Sequence, residues 1–163
     1  MEGLTPSRKG AIAEAAIVAR AIRLGIDVYL PVADGGRCDL ILGMGHELLR
    51  VQCKCAVLIG DVLSVRLLST FRAPGGGYVR RTYGADEIDA FAAYSIELDR
   101  CFLIPIGPFL GRKQIHLRLA PAKNCQRRGI HLAEQYELGA IAQLGERQSG
   151  TLEAAGSSPA SST

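Results

Sequence analysis

Apolar residues crowd one long stretch near the start of the chain. Between Ala11 and Ile22 only Glu14 and Arg20 carry charge. Thr5-Pro6 offers a capping side chain followed by proline at the first helical position, and Gly25 offers a stop. The pattern predicts a helix from Pro6 to about Leu24. Because it is apolar almost all round, it is expected to be largely buried. Short β-rich runs follow. Asp27 to Val32 ends in Ala33-Asp34-Gly35-Gly36, and Cys38 to Leu42 contains Asp39. Gly43-Met44-Gly45-His46 turns the chain into Glu47 to Val57, and Val62 to Leu68 is a fourth strand. Ala73-Pro74-Gly75-Gly76-Gly77 reads as a flexible loop. Ile88 to Tyr94 and Cys101 to Ile106 form a hairpin around Glu97-Leu98-Asp99. Gln114 to Leu119 is expected at a sheet edge, and Ile130 to Leu138 as a last short helix. No repeats occur. A helix followed by strands with hairpin connections predicts an α/β domain: a mixed β-sheet flanked by helices.

Strand alternation then brings chemistry together. In Leu49-Arg50-Val51-Gln52-Cys53-Lys54, side chains two apart share a face. Val51, Cys53 and Cys55 point into a core, whereas Arg50, Gln52 and Lys54 point the other way. Antiparallel pairing through the turn near Gly43-Met44-Gly45 would set Asp39 beside Gln52 and Lys54. Glu14, one helical turn from Ile17 and Val18, would approach from beside the sheet. A carboxylate among apolar neighbours is costly without a partner. This set suits phosphodiester hydrolysis. A hard Mg2+ takes oxygen ligands, here from Asp39 and the Gln52 carbonyl, with Glu14 reaching the metal through a water or positioning Lys54. The metal activates a water, and Lys54 orients it and stabilises the transition state. The bland alternative is a solvated strand face with an incidental Gln-x-Lys. Asp89 is read as a strand-end carboxylate rather than a catalytic one.

Composition narrows the partner. At 163 residues and 48% apolar, the chain is long enough for one domain with a real core. No apolar run approaches the ~20 residues of a membrane helix. Met1-Glu2-Gly3-Leu4 lacks the basic-then-apolar order of a secretory leader, so a cytoplasmic location is expected. Five cysteines without a CxxC pair are expected as reduced thiols, and no spacing supports zinc with His46, His116 or His131. Net charge is only +3, but Gly111 to Gly129 carries Arg112, Lys113, Arg118, Lys123, Arg127 and Arg128 without an acid. Such a block suits contact with phosphates. Lys9, Arg80 and Arg81 join Arg112, Lys113, Lys123, Arg127 and Arg128 as candidate DNA contacts.

The order Lys9-Gly10, Glu14, Gly25, Pro31, Asp39, Gln52-x-Lys54 resembles the PD-(D/E)XK nucleases. Within them it resembles the branch related to intron-encoded homing endonucleases, where glutamine replaces the second acid. Asp89 to Tyr94, Phe102 to Ile106, Leu117-Arg118-Leu119, Asn124, Gln126, Ile130, Ala133 and Tyr136 also fit that branch. Archaeal Holliday-junction resolvases share the helix glutamate and core. The resemblance spans about Ser7 to Leu138. It implies a restriction-endonuclease-like fold acting on double-stranded DNA with Mg2+, for which Mn2+ substitutes, through Glu14, Asp39, Gln52 and Lys54. Two residues depart from the pattern: Cys38 stands where proline precedes the first acid, and Gln52 removes one metal-bound charge. Cutting both strands calls for two active sites, so a homo-oligomer, dimer or tetramer, is expected. The rivals are a junction resolvase and a non-catalytic DNA-binding module on the same fold.

From Gly139 the composition turns to Ala, Gly, Ser and Gln, and residues 139–163 are expected to be a disordered tail. Back-translation offers a reason. Ala142 to Arg147 can be read from GCTCAGTTGGGAGAGCGC, a tRNA D-arm, and Gly156 to Pro159 from GGTTCGAGTCCC, a T-arm. The two starts lie 14 codons apart, the spacing in a tRNA with a short variable loop. Gln148 and Leu152 codons can pair as an anticodon stem, and those of Gly139 and Ser162 in the acceptor stem. The segment thus reads as translated tRNA gene with no site of its own. Homing nucleases and other mobile elements often sit beside such genes.

Overall fold

A computed structural model describes residues 3–33, 35–121 and 129–142. Helix α1 spans Pro6–Arg23; the Thr5 hydroxyl accepts from the Arg8 N–H at 3.3 Å, and Gly25 takes φ 73° beyond its end. Only one face of α1 is buried, through Ala13, Ile17 and Ala21, while Ile22 is 61% exposed. The expectation of an all-round buried helix is therefore corrected. Much of its apolar count comes from Ala11, Ala15 and Ala19, which are exposed; alanine favours helix and exposes little apolar area.

The main sheet is organised on one long strand. Strands β1 (Asp27–Tyr29), β2 (Leu40–Met44), β3 (Glu47–Ile59) and β4 (Val62–Arg66) run antiparallel in succession. Strands β5 (Ser69–Arg72) and β6 (Tyr78–Arg81) form a separate two-stranded ribbon across what the sequence marks as a flexible loop. Strand β7 (Ala90–Ser95) pairs parallel with β3 and antiparallel with β8 (Arg100–Pro105). All six residues of β7 are buried, as a strand covered on both faces requires. α1 packs on one face of the sheet over Leu40, Leu42, Val51, Cys53, Ala92 and Leu103. Leu63, Val65, Phe91, Phe102, Ile104 and Leu117 form a second core.

The C-terminal expectations change. Strand β9 (Gln114–Arg118) is not at an edge: it lies between β4 and the two-residue β10 (His131–Leu132), which pairs with it in parallel. Gly129, at φ 72°, precedes that pairing, and His131 and Leu132 satisfy backbone groups of β9. The helix expected over Ile130 to Leu138 is thus replaced by β10 and a 3-10 turn, Ala133–Tyr136. Residues 138–142 are helical, with Leu138 and Ala142 buried in the α1 core and Ile141 packed against it. The tail expected to begin at Gly139 is therefore corrected over 139–142, which belong to the fold, and its remainder, 143–163, lies outside the described residues. No described helix is long and apolar enough to cross a membrane.

This packing sets a boundary for truncation. Ending the chain after Leu138 removes Ile141 and Ala142 from the core and should cost roughly 2 kcal/mol, seen as a Tm lower by several degrees. Ending it after Ala142 should leave Tm within about a degree. Equal melting temperatures for the two truncations would contradict the packing.

Candidate active site

The registers of β3 create a notch. Val51 pairs with Leu40 on one edge and Ala90 on the other; Ala56 pairs with Val65 and Ser95. β2 and β4 therefore share one edge of β3 and leave Gln52 to Cys55 unpaired between them, while β7 lines the opposite edge. A freed backbone N–H needs a partner. Asp39 supplies it from a bend just before β2, outside the strand expected to contain it: its Oδ2 accepts from the Cys53 N–H at 2.7 Å and from the Gln52 side-chain amide. The Asp39 N–H donates to the Val51 carbonyl at 2.9 Å, which fixes the bend. The predicted pairing of Asp39 with Gln52 is thus present. Glu14 and Asp39 line one cleft of about 320 Å3 with Leu30, Pro31, Gly35, Gly36 and Cys38. Lys54 sits deeper and donates from Nζ to the Tyr83 hydroxyl at 3.2 Å and to the Leu68 carbonyl at 3.4 Å.

Electrostatics couple Glu14, Asp39 and Lys54. Burial raises the Glu14 carboxyl above its usual value, the Asp39 charge raises it further, and Lys54 opposes both. Burial also raises Asp39, against the Cys53 N–H and Lys54. Lys54 is lowered by burial first, while Asp39 pulls it back up. A cation bound in the cleft would favour the charged forms of both carboxylates. Among the described residues no three His, Cys, Asp or Glu side chains gather to hold a metal. The donor set still fits a hard cation: two carboxylates on one cleft, Asp39 half-buried and Glu14 exposed, plus an amide. Turning the Gln52 amide by half a turn puts its oxygen beside Asp39, where it can serve as a neutral ligand.

With folded pKa values raised, protonated Glu14 and Asp39 favour the folded state below their unfolded values, and this contribution is lost as pH rises through the folded ones. The charged forms of both carboxylates are thus disfavoured in the folded, metal-free site. Mn2+ or Mg2+ should raise Tm at pH 7–8 and less at pH 5, by about 2.7 kcal/mol of stability at a hundredfold excess over Kd. Asp39→Asn keeps an acceptor for Cys53, so it should raise the metal-free Tm and remove the metal response. Calorimetry showing an undiminished metal shift in that variant would contradict the site.

Residues invisible in the sequence reading complete the surroundings. Arg37 forms a two-point pair with Glu87, both contacts at 2.9 Å, donates to Ser69 Oγ at 2.8 Å and to the Thr82 carbonyl at 3.0 Å, and lies over the Tyr83 ring at 4.1 Å. Arg37 is the one basic residue between Gly25 and His46, a weak signal; nothing marked Tyr83. Asp89 is engaged by the Arg50 guanidinium and backbone N–H, in line with its reading as a strand-end carboxylate. Of the candidate DNA contacts, Arg80, Arg112 and Lys113 are exposed, Lys9 is half-buried, and Arg81 is exposed but pairs with Glu87 at 2.7 Å. Lys123, Arg127 and Arg128 lie outside the described residues.

Comparison with known proteins supplies the context. The sequence profile of a family described as PD-(D/E)XK endonuclease matches residues 4–139. Comparison with curated protein sequences gives no match. Among solved structures, that of a bacterial homing endonuclease, I-Ssp6803I, is similar at a TM-score of 0.67 and 26% identity, over 90% of this chain and 99% of that one.

Proposed function

Because this chain belongs to the PD-(D/E)XK endonuclease family, we propose that it is a metal-dependent endonuclease of double-stranded DNA. The reading is supported above all by the notch in β3, where Asp39 and Gln52 meet beside Lys54 and face Glu14 across a cleft. Asp39 and Glu14, with the Gln52 oxygen, would hold Mg2+, with Mn2+ as a substitute. When bound, the ion lowers the pKa of a water and offsets charge gathering on the phosphate. The chain's own residues do the rest. Cys53 holds one Asp39 oxygen through its N–H, which aims the carboxylate into the cleft. Lys54 has three N–H donors, and Tyr83 and Leu68 take two. The third remains for a water or a phosphate oxygen. The fixed pair of anchors aims it before DNA arrives, and such preorganised donors lower a barrier most effectively.

Homing-endonuclease-like cutting of both strands is the specific activity we favour, with the second active site supplied by another copy in a homo-oligomer. The likeness to a bacterial homing endonuclease along nearly its whole length supports this. The test is cleavage of linear duplex and of a four-way junction in Mg2+. Cuts in both strands of the duplex are expected. Cutting confined to the junction would assign a resolvase, and tight binding without cutting would assign a DNA-binding module; either would overturn the proposal.

A further inference from the structure

The β5–β6 ribbon stands outside the main sheet, and its two faces differ. Cross-strand partners are Ser69 with Arg81, Thr70 with Arg80, Phe71 with Val79, and Arg72 with Tyr78. Paired residues share a face and neighbours along a strand alternate. One face thus carries Ser69, Phe71, Val79 and Arg81; the other carries Thr70, Arg72, Tyr78 and Arg80. The first face is tied to the body, Ser69 accepting from Arg37 and Arg81 pairing with Glu87. The second is exposed along its length, with Tyr78 at 79%, and none of its side chains makes a hydrogen bond or ion pair among the described residues. Between Asp61 and Asp86 the chain has no acid but carries Arg66, Arg72, Arg80 and Arg81. The tip turns through Gly76 and Gly77, both in the left-handed region at φ 89° and 84°, which keeps it narrow.

We infer that this ribbon reads the substrate: its Thr70, Arg72, Tyr78 and Arg80 face enters the major groove of the duplex that the proposed nuclease cuts. The inference rests on that reading of the site and goes further, to the part of the DNA read and the residues that read it. The major groove is wide enough for a two-stranded ribbon, and arginine there makes a two-point contact with guanine. A long arginine with a flat aromatic beside it provides both charge and stacking area. The body of the protein sets the ribbon's aim. Leu68, one residue before β5, and Tyr83, two residues after β6, are the groups that anchor Lys54. Arg37 ties Ser69 and Thr82 at the same stems. Bases in the groove and the phosphate to be cut are thereby registered against each other by one short segment.

The test uses the full chain and the Arg72→Ala/Arg80→Ala double variant on a pool of duplexes randomised in sequence, sequenced after binding and after cleavage in Mg2+. Wild type should select a base pattern that includes a block of about three or four pairs with guanine. The double variant should lose at least tenfold preference across that block, with Tm unchanged. An unchanged pattern in the double variant overturns the inference, as does wild type that selects no pattern. Loss of oligomer size in the variant with its pattern kept would assign the ribbon to a subunit contact and also overturn it. Failure of the nuclease reading looks different: wild type would leave every duplex uncut, and the pattern among bound duplexes would then still judge the ribbon.

Discussion

Lys54→Ala and Asp39→Ala should each lower the rate of DNA cleavage by about a thousandfold or more. The two residues act at different points, so the losses have different companions. Lys54 is held between Tyr83 and Leu68 and places a positive charge that both carboxylates feel. Its removal takes away the proposed donor for the water or phosphate and should leave metal binding largely in place. Asp39 accepts from Cys53 and stands against Gln52. Its removal takes away the proposed metal ligand and leaves the Cys53 N–H without its acceptor, at a cost of roughly 1–3 kcal/mol. Asp39→Asn separates the two effects, since it keeps the acceptor and should lose the rate all the same. Cleavage near the wild-type rate in Lys54→Ala or Asp39→Asn would remove these residues from the mechanism.

Arg37→Ala should reduce kcat roughly 10- to 100-fold with a smaller change in KM, in the range expected when a residue that orients a reactive group is lost. Arg37 does not reach the cleft; it supports Tyr83, which in turn holds Lys54. A purely structural role would lower activity without moving its pH dependence. Arg37 also contributes a charge that lowers Lys54 below its ordinary value. With the charge gone, Lys54 should stay protonated to higher pH, and the basic limb of the pH–rate profile should move upward. Arg37→Lys restores the charge but not the two-point pair with Glu87. It should return the limb toward its original position while recovering only part of the rate. A limb that stays in place in Arg37→Ala would make Arg37 a scaffold residue only.

The parts of the site that follow from local rules were legible in the sequence. Alternation placed Gln52 and Lys54 on one face and Val51 and Cys53 on the other. The turn before Glu47 set the β2–β3 register that delivers Asp39. What the sequence concealed is long-range. Arg37 meets Glu87 fifty residues away, and Tyr83 meets Lys54 across twenty-nine; no local pattern encodes either meeting. The β5–β6 ribbon was hidden because Ala73 to Gly77 has the composition of a free loop, although the same glycines permit a tight tip. The helix α1 misled in another way. Its alanines raised the apolar count without raising the area to be buried, so one packed face sufficed. At the other end, alanine at position 142 fills the core beside α1 although its codon falls in the tRNA-like stretch.

The proposed activity is hydrolysis of duplex DNA in this cleft with a divalent cation. The most direct measurement is the conversion of supercoiled plasmid by the full chain, followed in time with Mg2+ and with excess chelator. Conversion to nicked and then linear product is predicted with Mg2+, none with chelator, and recovery when Mn2+ is restored. Intact plasmid under all three conditions, or equal cutting in chelator, would contradict the account.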